Sequence, residues 1–539
     1  MSFISAFMAL NTSLSVLTPT VPPPPAPPQQ QQQHVLPYPL SPEPFPLPPN
    51  LRPPANATEH APRTEGPDWC PTVPGRRVQC GTRPRPLVHG KPELGTIDVA
   101  YALVRRTNES APATNTVMVN PGGPGGAALD LAQWYDGLLA SLRTDHDLLL
   151  IDPRGIGRSS PVSCGLGNYL LADRPQQRTM VADCAAALGP RAAGYTSAAT
   201  ADDFNAVRKH LGIAKVVLYG QSYGTYLMPI YAERHPRTVR SIVLSAAYPV
   251  TFDPFGAPSA RAIGNSLRLV CERSAACDGN TAVEDLRTVN ARLRAQPIDT
   301  TITVGGHPRT FRLTETFLAQ ALTFAASSGV GALPDQVLLI GRLPALLHQA
   351  ARGETTPLKN ELTALVQGFA DLQHDQSHTI TVVCNDYTRP WSVEAPLRKR
   401  WQQFDRALAK TAPGAFDTFS AQSFALSAPD GGDLCIEWPE EGTARPYKLT
   451  RPLPDVPTLV VSGDLDNNTA AENSRLSAAQ FPRAQFLSVP NTGHGAEMDS
   501  TGCGAALVSG FIRDGRLGDT SCLAAIPPLK VNPVGPPTQ

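Results

Sequence analysis

The sequence predicts an α/β fold built on a mostly parallel sheet with helices on both faces, and two observations support this prediction. Short, β-rich apolar runs alternate with helical patterns between residues 115 and 245, as expected for a parallel sheet covered by helices. The strand pattern then returns at residues 457–461 and 484–489. The long block between these regions, residues 252–450, is rich in helical patterns. We interpret it as an inserted, largely helical cap over the carboxyl edge of the sheet.

The composition divides the chain further. Residues 1–20 contain a short apolar stretch without the usual preceding Lys or Arg, which indicates an atypical signal segment. Residues 21–66 are rich in Pro and Gln and should form a disordered stalk, because such a segment cannot bury a core. We assign residues 67–251 and 451–525 to the two parts of the core, and residues 526–539 to a tail.

Charge and cysteine content restrict the class of protein. Lys+Arg and Asp+Glu both number 46, so nothing favours nucleic acid as a partner. The ten cysteines lack a C-x-x-C motif and fall into five successive local pairs, which favours disulfides in an extracellular, secreted or cell-wall associated protein. They are Cys70, Cys80, Cys164, Cys184, Cys271, Cys277, Cys384, Cys435, Cys503 and Cys522. After the N-terminus no apolar run reaches 18 residues, so we expect no transmembrane segment. We also expect the protein to be a monomer.

The elements follow in order along the chain. Alternation at residues 95–101 predicts an edge strand, and buried strands are predicted at 116–119, 147–151, 216–219 and 241–244. Helical patterns cover residues 200–211, 223–235, 259–270, 283–295, 314–326 and 504–514.

The strand at 216–219 runs into Gly220-Gln221-Ser222-Tyr223-Gly224, which matches the G-x-S-x-G nucleophile elbow. The two glycines allow the strand and helix backbones to approach closely around a strained turn. Ser222 should therefore present its hydroxyl at the open end of the sheet. The N–H of Tyr223, at the start of the helix, should point at a developing oxyanion.

A glycine-rich loop, residues 120–126, follows the strand at 116–119. A phosphate-binding loop would need G-x-x-x-x-G-K-[ST], and this segment lacks it. An oxyanion loop needs free backbone N–H groups close to the substrate, which glycine permits. We predict the Gly123 N–H as the second oxyanion donor, with Gly122 as the alternative.

A serine nucleophile needs a histidine base and an orienting acid, which in this fold follow the serine in the order acid, then histidine. His494 lies in a glycine-flanked loop after the strand at 484–489. Asp464 and Asp466 both follow the strand at 457–461. One of the two should orient His494, and the other is a candidate helix cap.

These motifs resemble the prolyl iminopeptidase and tripeptidyl aminopeptidase family of α/β-hydrolases, especially its secreted bacterial tripeptidyl aminopeptidase-like branch. The resemblance covers residues 68–525 and rests on the elbow, the Gly-Gly-Pro-Gly loop, Ser462-Gly463-Asp464-Leu465-Asp466, Gly493-His494-Gly495 and the late cysteines Cys503 and Cys522. It implies the α/β-hydrolase fold, Ser222 as nucleophile, Asp466 as acid, His494 as base, and cleavage at peptide N-termini. The chain departs from the family where Asn120-Pro121 replaces a histidine before the glycines, and where Ser245-Ala246 follows the strand at 241–244.

An exopeptidase must also bind the free ammonium of its peptide substrate. We expect a carboxylate to do this, with Glu437 and Asp386 in the cap, or Asp130 near the glycine-rich loop, as candidates. His374 and His378 are spaced for one helix face but lack a third ligand, so no metal and no cofactor are expected. An esterase or lipase with the same triad, and a catalytically silent wall-attached binding protein, are the alternative functions.

Overall fold

A nine-stranded mixed sheet forms the centre of the chain in a computed structural model, which describes residues 63–372, 374–439 and 444–535. Its strands stand in the order β1-β2-β3-β5-β4-β6-β7-β10-β11. They are β1 Arg63–Glu65, β2 Arg77–Pro86, β3 Thr96–Val104, β4 Asn115–Asn120, β5 His146–Ile151, β6 Val216–Gln221, β7 Val239–Ser245, β10 Thr458–Gly463 and β11 Ala484–Val489. The six strands from β5 to β11 in this order are parallel, as predicted.

Helices cover both faces of the sheet. Alternate side chains of β6 enter two separate apolar cores, with Val216 and Leu218 in one and Val217 and Tyr219 in the other. This explains why β6 is a continuous apolar run. The core helices are α1 Ala132–Leu138, α2 Arg174–Leu188, α3 Ser197–His210, α4 Gly224–Arg234, α13 Ala471–Ala478 and α14 Cys503–Asp514.

The cap lies between β7 and β10 and is largely helical. Its helices are α5 Ala257–Ser274, α6 Gly279–Ala295, α7 Glu315–Phe324, α8 Leu339–Ala351, α9 Thr356–Leu372, α10 Ser377–Asp386, α11 Leu397–Ala409 and α12 Ala421–Ala425. The sequence did not predict the hairpin that β8 Ile298–Val304 and β9 His307–Leu313 form in the cap. Most β9 side chains are exposed, so the run lacks the apolar alternation that marks a half-buried strand.

Two predictions about the first strands are wrong. The predicted edge strand, β3, pairs on both sides, with β2 and with β5. Only its start alternates, since every residue from Val99 onward is buried. The predicted stalk ends earlier than residue 66, because β1 pairs with Arg77–Gln79. The signal segment and the rest of the stalk lie outside the described residues.

The ten cysteines form five disulfides, each between neighbours in the sequence, as expected from their local spacing. The pairs are Cys70–Cys80, Cys164–Cys184, Cys271–Cys277, Cys384–Cys435 and Cys503–Cys522. Among the helices of the described ranges, none combines the length and apolar character needed to cross a membrane.

Candidate active site

Ser222 occupies the tight turn between β6 and α4, as the elbow motif predicts. Its φ is 52°, in the left-handed region, and its N–H donates to the Ser245 carbonyl at 3.0 Å. A Cβ at position 220 would lie 2.3 Å from the Gly224 carbonyl oxygen, and a Cβ at position 224 would lie 2.6 Å from the Asn120 carbonyl oxygen. Both glycines are therefore required by close backbone contacts, which confirms their predicted steric purpose.

The glycine-rich loop packs directly against this turn. A Cβ on Gly122 would lie 2.8 Å from the Ser222 Cβ. The Gly122 N–H already donates to the Asn120 Oδ1 at 3.1 Å. Within the described residues, the N–H groups of Gly123 and Tyr223 donate no hydrogen bond. Of the two loop candidates for an oxyanion donor, only Gly123 thus retains a free N–H.

Helix α10 of the cap supports the same loop. The Thr379 hydroxyl donates to the Pro124 carbonyl at 2.6 Å, and a Cβ on Gly125 would lie 2.8 Å from that hydroxyl. The cap and the glycine-rich loop are therefore in direct contact. The position of the loop depends on the cap as well as on the Ser222 turn.

The loops after β10 and β11 bring Asp466 and His494 together. The Asp466 Oδ2 lies 3.0 Å from the His494 Nδ1, and both side chains are buried. The Thr469 hydroxyl donates to the same Oδ2 at 2.5 Å, and the N–H groups of Asn468 and Thr469 donate to Oδ1 at 2.9 Å. Burial raises the pKa of Asp466, but the neighbouring His494 and these hydrogen bonds outweigh it and leave that pKa below its ordinary value.

The other ring nitrogen of His494, Nε2, lacks such a partner among the described residues. Its Nε2 is buried and has no hydrogen-bond partner in the part of the chain that the structure describes. Burying a ring nitrogen without a hydrogen-bond partner costs folding free energy, and such groups are concentrated at functional sites. With Nδ1 held by Asp466, Nε2 is the nitrogen available to accept a proton.

Asp464 has a different environment from Asp466. Its Oδ2 pairs with the Arg273 guanidinium of α5 at 2.6 Å. It does not cap the following helix, because α13 has Ala470 at its N-cap and no side-chain cap. The capping role considered for the second aspartate is therefore wrong, and Asp464 instead ties the β10 loop to the cap.

The cap also fixes the histidine loop through backbone bonds. The Ser327 carbonyl accepts from the His494 N–H at 2.9 Å, and the Val330 carbonyl accepts from the Gly493 N–H at 3.1 Å. A Cβ on Gly493 would lie 2.1 Å from the Ser327 oxygen. The contact that demands glycine at this position is thus with the cap.

Sequence reasoning missed Glu497, which is fully buried three residues after His494. Its carboxylate accepts hydrogen bonds from the Tyr219 hydroxyl, the Gln221 Nε2 at 2.5 Å and the Ser245 hydroxyl. These donors stand on β6 and β7, beside Ser222. A glutamate among small and apolar residues at 495–498 was the only local signal for this role.

A cavity of about 1160 Å³, counted with its open mouth, lies between the sheet edge and the cap. Ser222, Gly123 and Thr469 line it on the side of the sheet. The cap contributes aromatic side chains and three charged groups, the Arg389 guanidinium and the carboxylates of Asp253 and Asp430. The aromatic residues are Tyr248, Phe252, Phe255, Phe324, Tyr387, Trp391 and Phe424.

Asp430 stands apart from the other carboxylate of the cavity, Asp253. The two oxygens of Asp253 accept from the N–H groups of Phe255 and Ala257, at 3.1 and 2.9 Å. Asp430 receives no hydrogen bond from another residue of the described ranges. Burial raises its pKa to about 6, and the more distant Arg174 opposes this only in part.

None of the three predicted amine-binding carboxylates lines this cavity. Glu437 and Asp130 are exposed on the surface. Asp386 is buried at the end of α10, where it accepts from the Ser197 N–H at 2.5 Å, and burial raises its pKa to about 7. Among the described residues, no group of three or more His, Cys, Asp and Glu side chains is placed to hold a metal ion.

With this geometry described, comparison with known proteins identifies the fold family. A family model described as alpha/beta hydrolase fold matches residues 115–270, the segment that contains the elbow and the glycine-rich loop. The chain is an α/β-hydrolase. A second family model, described as TAP-like protein, matches residues 424–522 of this hydrolase, which include Asp466 and His494. The resemblance to tripeptidyl aminopeptidase-like α/β-hydrolases is thereby confirmed.

Three curated relatives of this α/β-hydrolase carry names of different kinds. Serine protease Hip1 of Mycobacterium tuberculosis is 24% identical over 490 residues, which cover 82% of this chain and 86% of Hip1. Tripeptidyl aminopeptidase of Streptomyces lividans is 29% identical over 198 residues, which cover 33% of this chain and 36% of that protein. Carboxylesterase B of Mycobacterium tuberculosis is 27% identical over 484 residues, which cover 84% of this chain and 87% of that protein.

Proposed function

We propose that this α/β-hydrolase is a secreted serine exopeptidase that releases residues or short peptides from peptide N-termini. The observation that carries the proposal is the composition of one cavity. Ser222 and Gly123 line it on one side, and the cap adds a carboxylate, Asp430, that receives no hydrogen bond from another described residue. A nucleophile and an unpaired carboxylate in one cavity suit a peptide that presents both a carbonyl and an ammonium group.

In the proposed reaction the Ser222 Oγ attacks the scissile carbonyl while the His494 Nε2 takes the hydroxyl proton. The Asp466 carboxylate keeps the Nδ1 proton of His494 in place and stabilises the imidazolium. The N–H groups of Gly123 and Tyr223 donate to the oxyanion of the tetrahedral intermediate. His494 then protonates the leaving amine. Water, activated by His494, attacks the acyl-enzyme carbonyl and releases the N-terminal product.

We propose Asp430, in place of Glu437 and Asp386, as the group that binds the substrate ammonium. Its raised pKa reflects a carboxylate that burial disfavours in its ionised form, and an ammonium beside it would restore that form. The neighbouring Tyr248 and Tyr387, whose hydroxyls lie 2.5 Å apart, present aromatic rings that also attract a cation. Five disulfides support the proposed extracellular location.

An esterase is the second candidate function. The relative named carboxylesterase B is matched over most of its length, and a serine, histidine and aspartate set does not by itself distinguish esters from amides.

A substrate panel distinguishes the two functions. The purified chain would be assayed with peptidyl p-nitroanilides that have free or acetylated N-termini, and with short-chain p-nitrophenyl esters, using Ser222→Ala as the background control. The exopeptidase proposal predicts that free N-termini are hydrolysed at least about tenfold faster than acetylated ones, because one charged contact contributes about 1.5–3 kcal/mol. Activity confined to the esters would replace the exopeptidase with the esterase.

A further inference from the structure

The cavity contains a second charged group that the proposed chemistry does not use, the Arg389 guanidinium. Its Nε and Nη2 atoms are buried and have no hydrogen-bond partner in the described ranges. Leaving these two atoms buried and unpaired costs free energy, because burial removes their hydration and no acceptor replaces it. Burial, helped by the nearby Arg400 charge, lowers its pKa to about 10, so the group remains a cation at neutral pH.

Neighbouring arginines show the hydrogen bonds and ion pairs that a guanidinium with a structural role makes. The Arg400 guanidinium donates to four backbone carbonyls, including those of Ile436 and Trp438 at 3.0 and 2.6 Å. Arg174 and Arg178 both pair with Asp433, at 2.7 and 2.6 Å. Arg389 has no such contact in the described residues, although Asp386 stands near enough to oppose its charge in part.

We propose that Arg389 is a substrate-binding residue that recognises a carboxylate of the peptide. A planar guanidinium with free N–H donors suits a carboxylate, which it can bind through two parallel hydrogen bonds. The proposal rests on the proposed peptidase function, since it places both charges of a peptide in one cavity, the ammonium at Asp430 and a carboxylate at Arg389. The carboxylate is either an acidic side chain or the C-terminus of a short peptide.

Two sets of peptides distinguish these sources. The first set consists of C-terminally amidated alanine tetrapeptides in which Glu replaces Gln at one position at a time. The second set compares tetra-alanine as the free acid with its amide. Binding is measured by calorimetry on Ser222→Ala, and kcat/KM is measured on the active chain. We expect one set to show a preference of about 10-fold to 100-fold for the carboxylate form, as for one charge-assisted contact.

Arg389→Gln should reduce this preference to nearly onefold, and Arg389→Lys should retain part of it. Arg261→Gln, the same substitution at an exposed cap arginine paired with Glu472, should leave the preference unchanged. A wild-type preference below about twofold in both sets, or a preference that persists in Arg389→Gln, would overturn the proposal. If peptides bind to Ser222→Ala with this preference but are not cleaved by the active chain, the peptidase proposal fails while the carboxylate site stands.

Discussion

Charged groups on the two sides of the cavity differ in their hydrogen bonding. On the sheet side, the lining residues Asn468 and Thr469 donate hydrogen bonds to the Asp466 carboxylate. Asp466 also accepts from His494, and its pKa lies below the ordinary value. On the cap side, Asp430 receives no hydrogen bond from another described residue, and burial raises its pKa to about 6. The Nε and Nη2 atoms of Arg389 also lack a hydrogen-bond partner in the described ranges. Fixed polar groups suit a site that orients reacting atoms, whereas unpaired charges suit a site that a ligand completes. Under the proposed function, this difference corresponds to chemistry on the sheet side and substrate selection on the cap.

The sheet side is tested most strongly at Asp466. Asp466→Asn should lower kcat by about 10⁴-fold, because the amide cannot hold the required tautomer of His494. Asp464→Asn, the same change in the same loop, should lower kcat by less than about tenfold, since Asp464 pairs with Arg273 and not with His494. Steady-state kinetics on both variants checks this. Equal losses would contradict the distinct roles of the two aspartates.

Glu497 should affect catalysis only by holding the Ser222 turn in position. Glu497→Gln preserves the shape of the side chain but replaces one accepting oxygen with a donor. That donor faces either the Tyr219 hydroxyl and Gln221 amide at Oε1 or the Ser245 hydroxyl at Oε2. We expect kcat to fall by about 10-fold to 100-fold as the Ser222 turn shifts, with little change in KM. Glu472→Gln, at an exposed glutamate, is the matched control. A loss of thermal stability with unchanged kcat would show that Glu497 supports folding only.

The cap side is tested at Asp430. Asp430→Asn should reduce the preference for free over acetylated N-termini by about 10-fold, since the amide no longer attracts the ammonium. In the wild type the same preference should weaken as the pH falls below about 6, where Asp430 becomes protonated. Glu437→Gln, an exposed glutamate of the same region, should leave the preference intact at every pH. An unchanged preference in Asp430→Asn would exclude Asp430 as the ammonium site.

The smallest expected effect is on stability. The folded pKa of Asp430, about 6, lies above the value of about 3.9 in an unfolded chain, so the folded state loses stability as the pH rises between these values. Asp430→Asn removes this penalty and should raise the melting temperature by about 2 °C above pH 6. The difference should vanish below pH 4. A melting temperature below that of the wild type at pH 7 would show that Asp430 stabilises the cap.

The sequence predicts the sheet side far better than the cap side, for a physical reason. The strands and the loop positions of Asp466 and His494 follow from local periodicity. The Ser222 turn also follows from two glycines, Gly220 and Gly224, whose close contacts lie within the core. The roles of Asp430, Arg389 and Glu497 depend on contacts between segments far apart in the chain. Their side chains resemble ordinary surface charges in the sequence. The sequence points to Glu437, which is exposed, because no local pattern reports which cap residues face the cavity.

Covalent labelling tests the central claim most directly. The wild-type chain would be treated with a fluorophosphonate, digested and mapped by mass spectrometry, with Ser222→Ala and His494→Ala treated in parallel. The account predicts one adduct, on Ser222, with no labelling of Ser222→Ala and labelling of His494→Ala slowed by at least about 10³-fold. Labelling of another serine with loss of activity, or rapid labelling of Ser222 without His494, would contradict it.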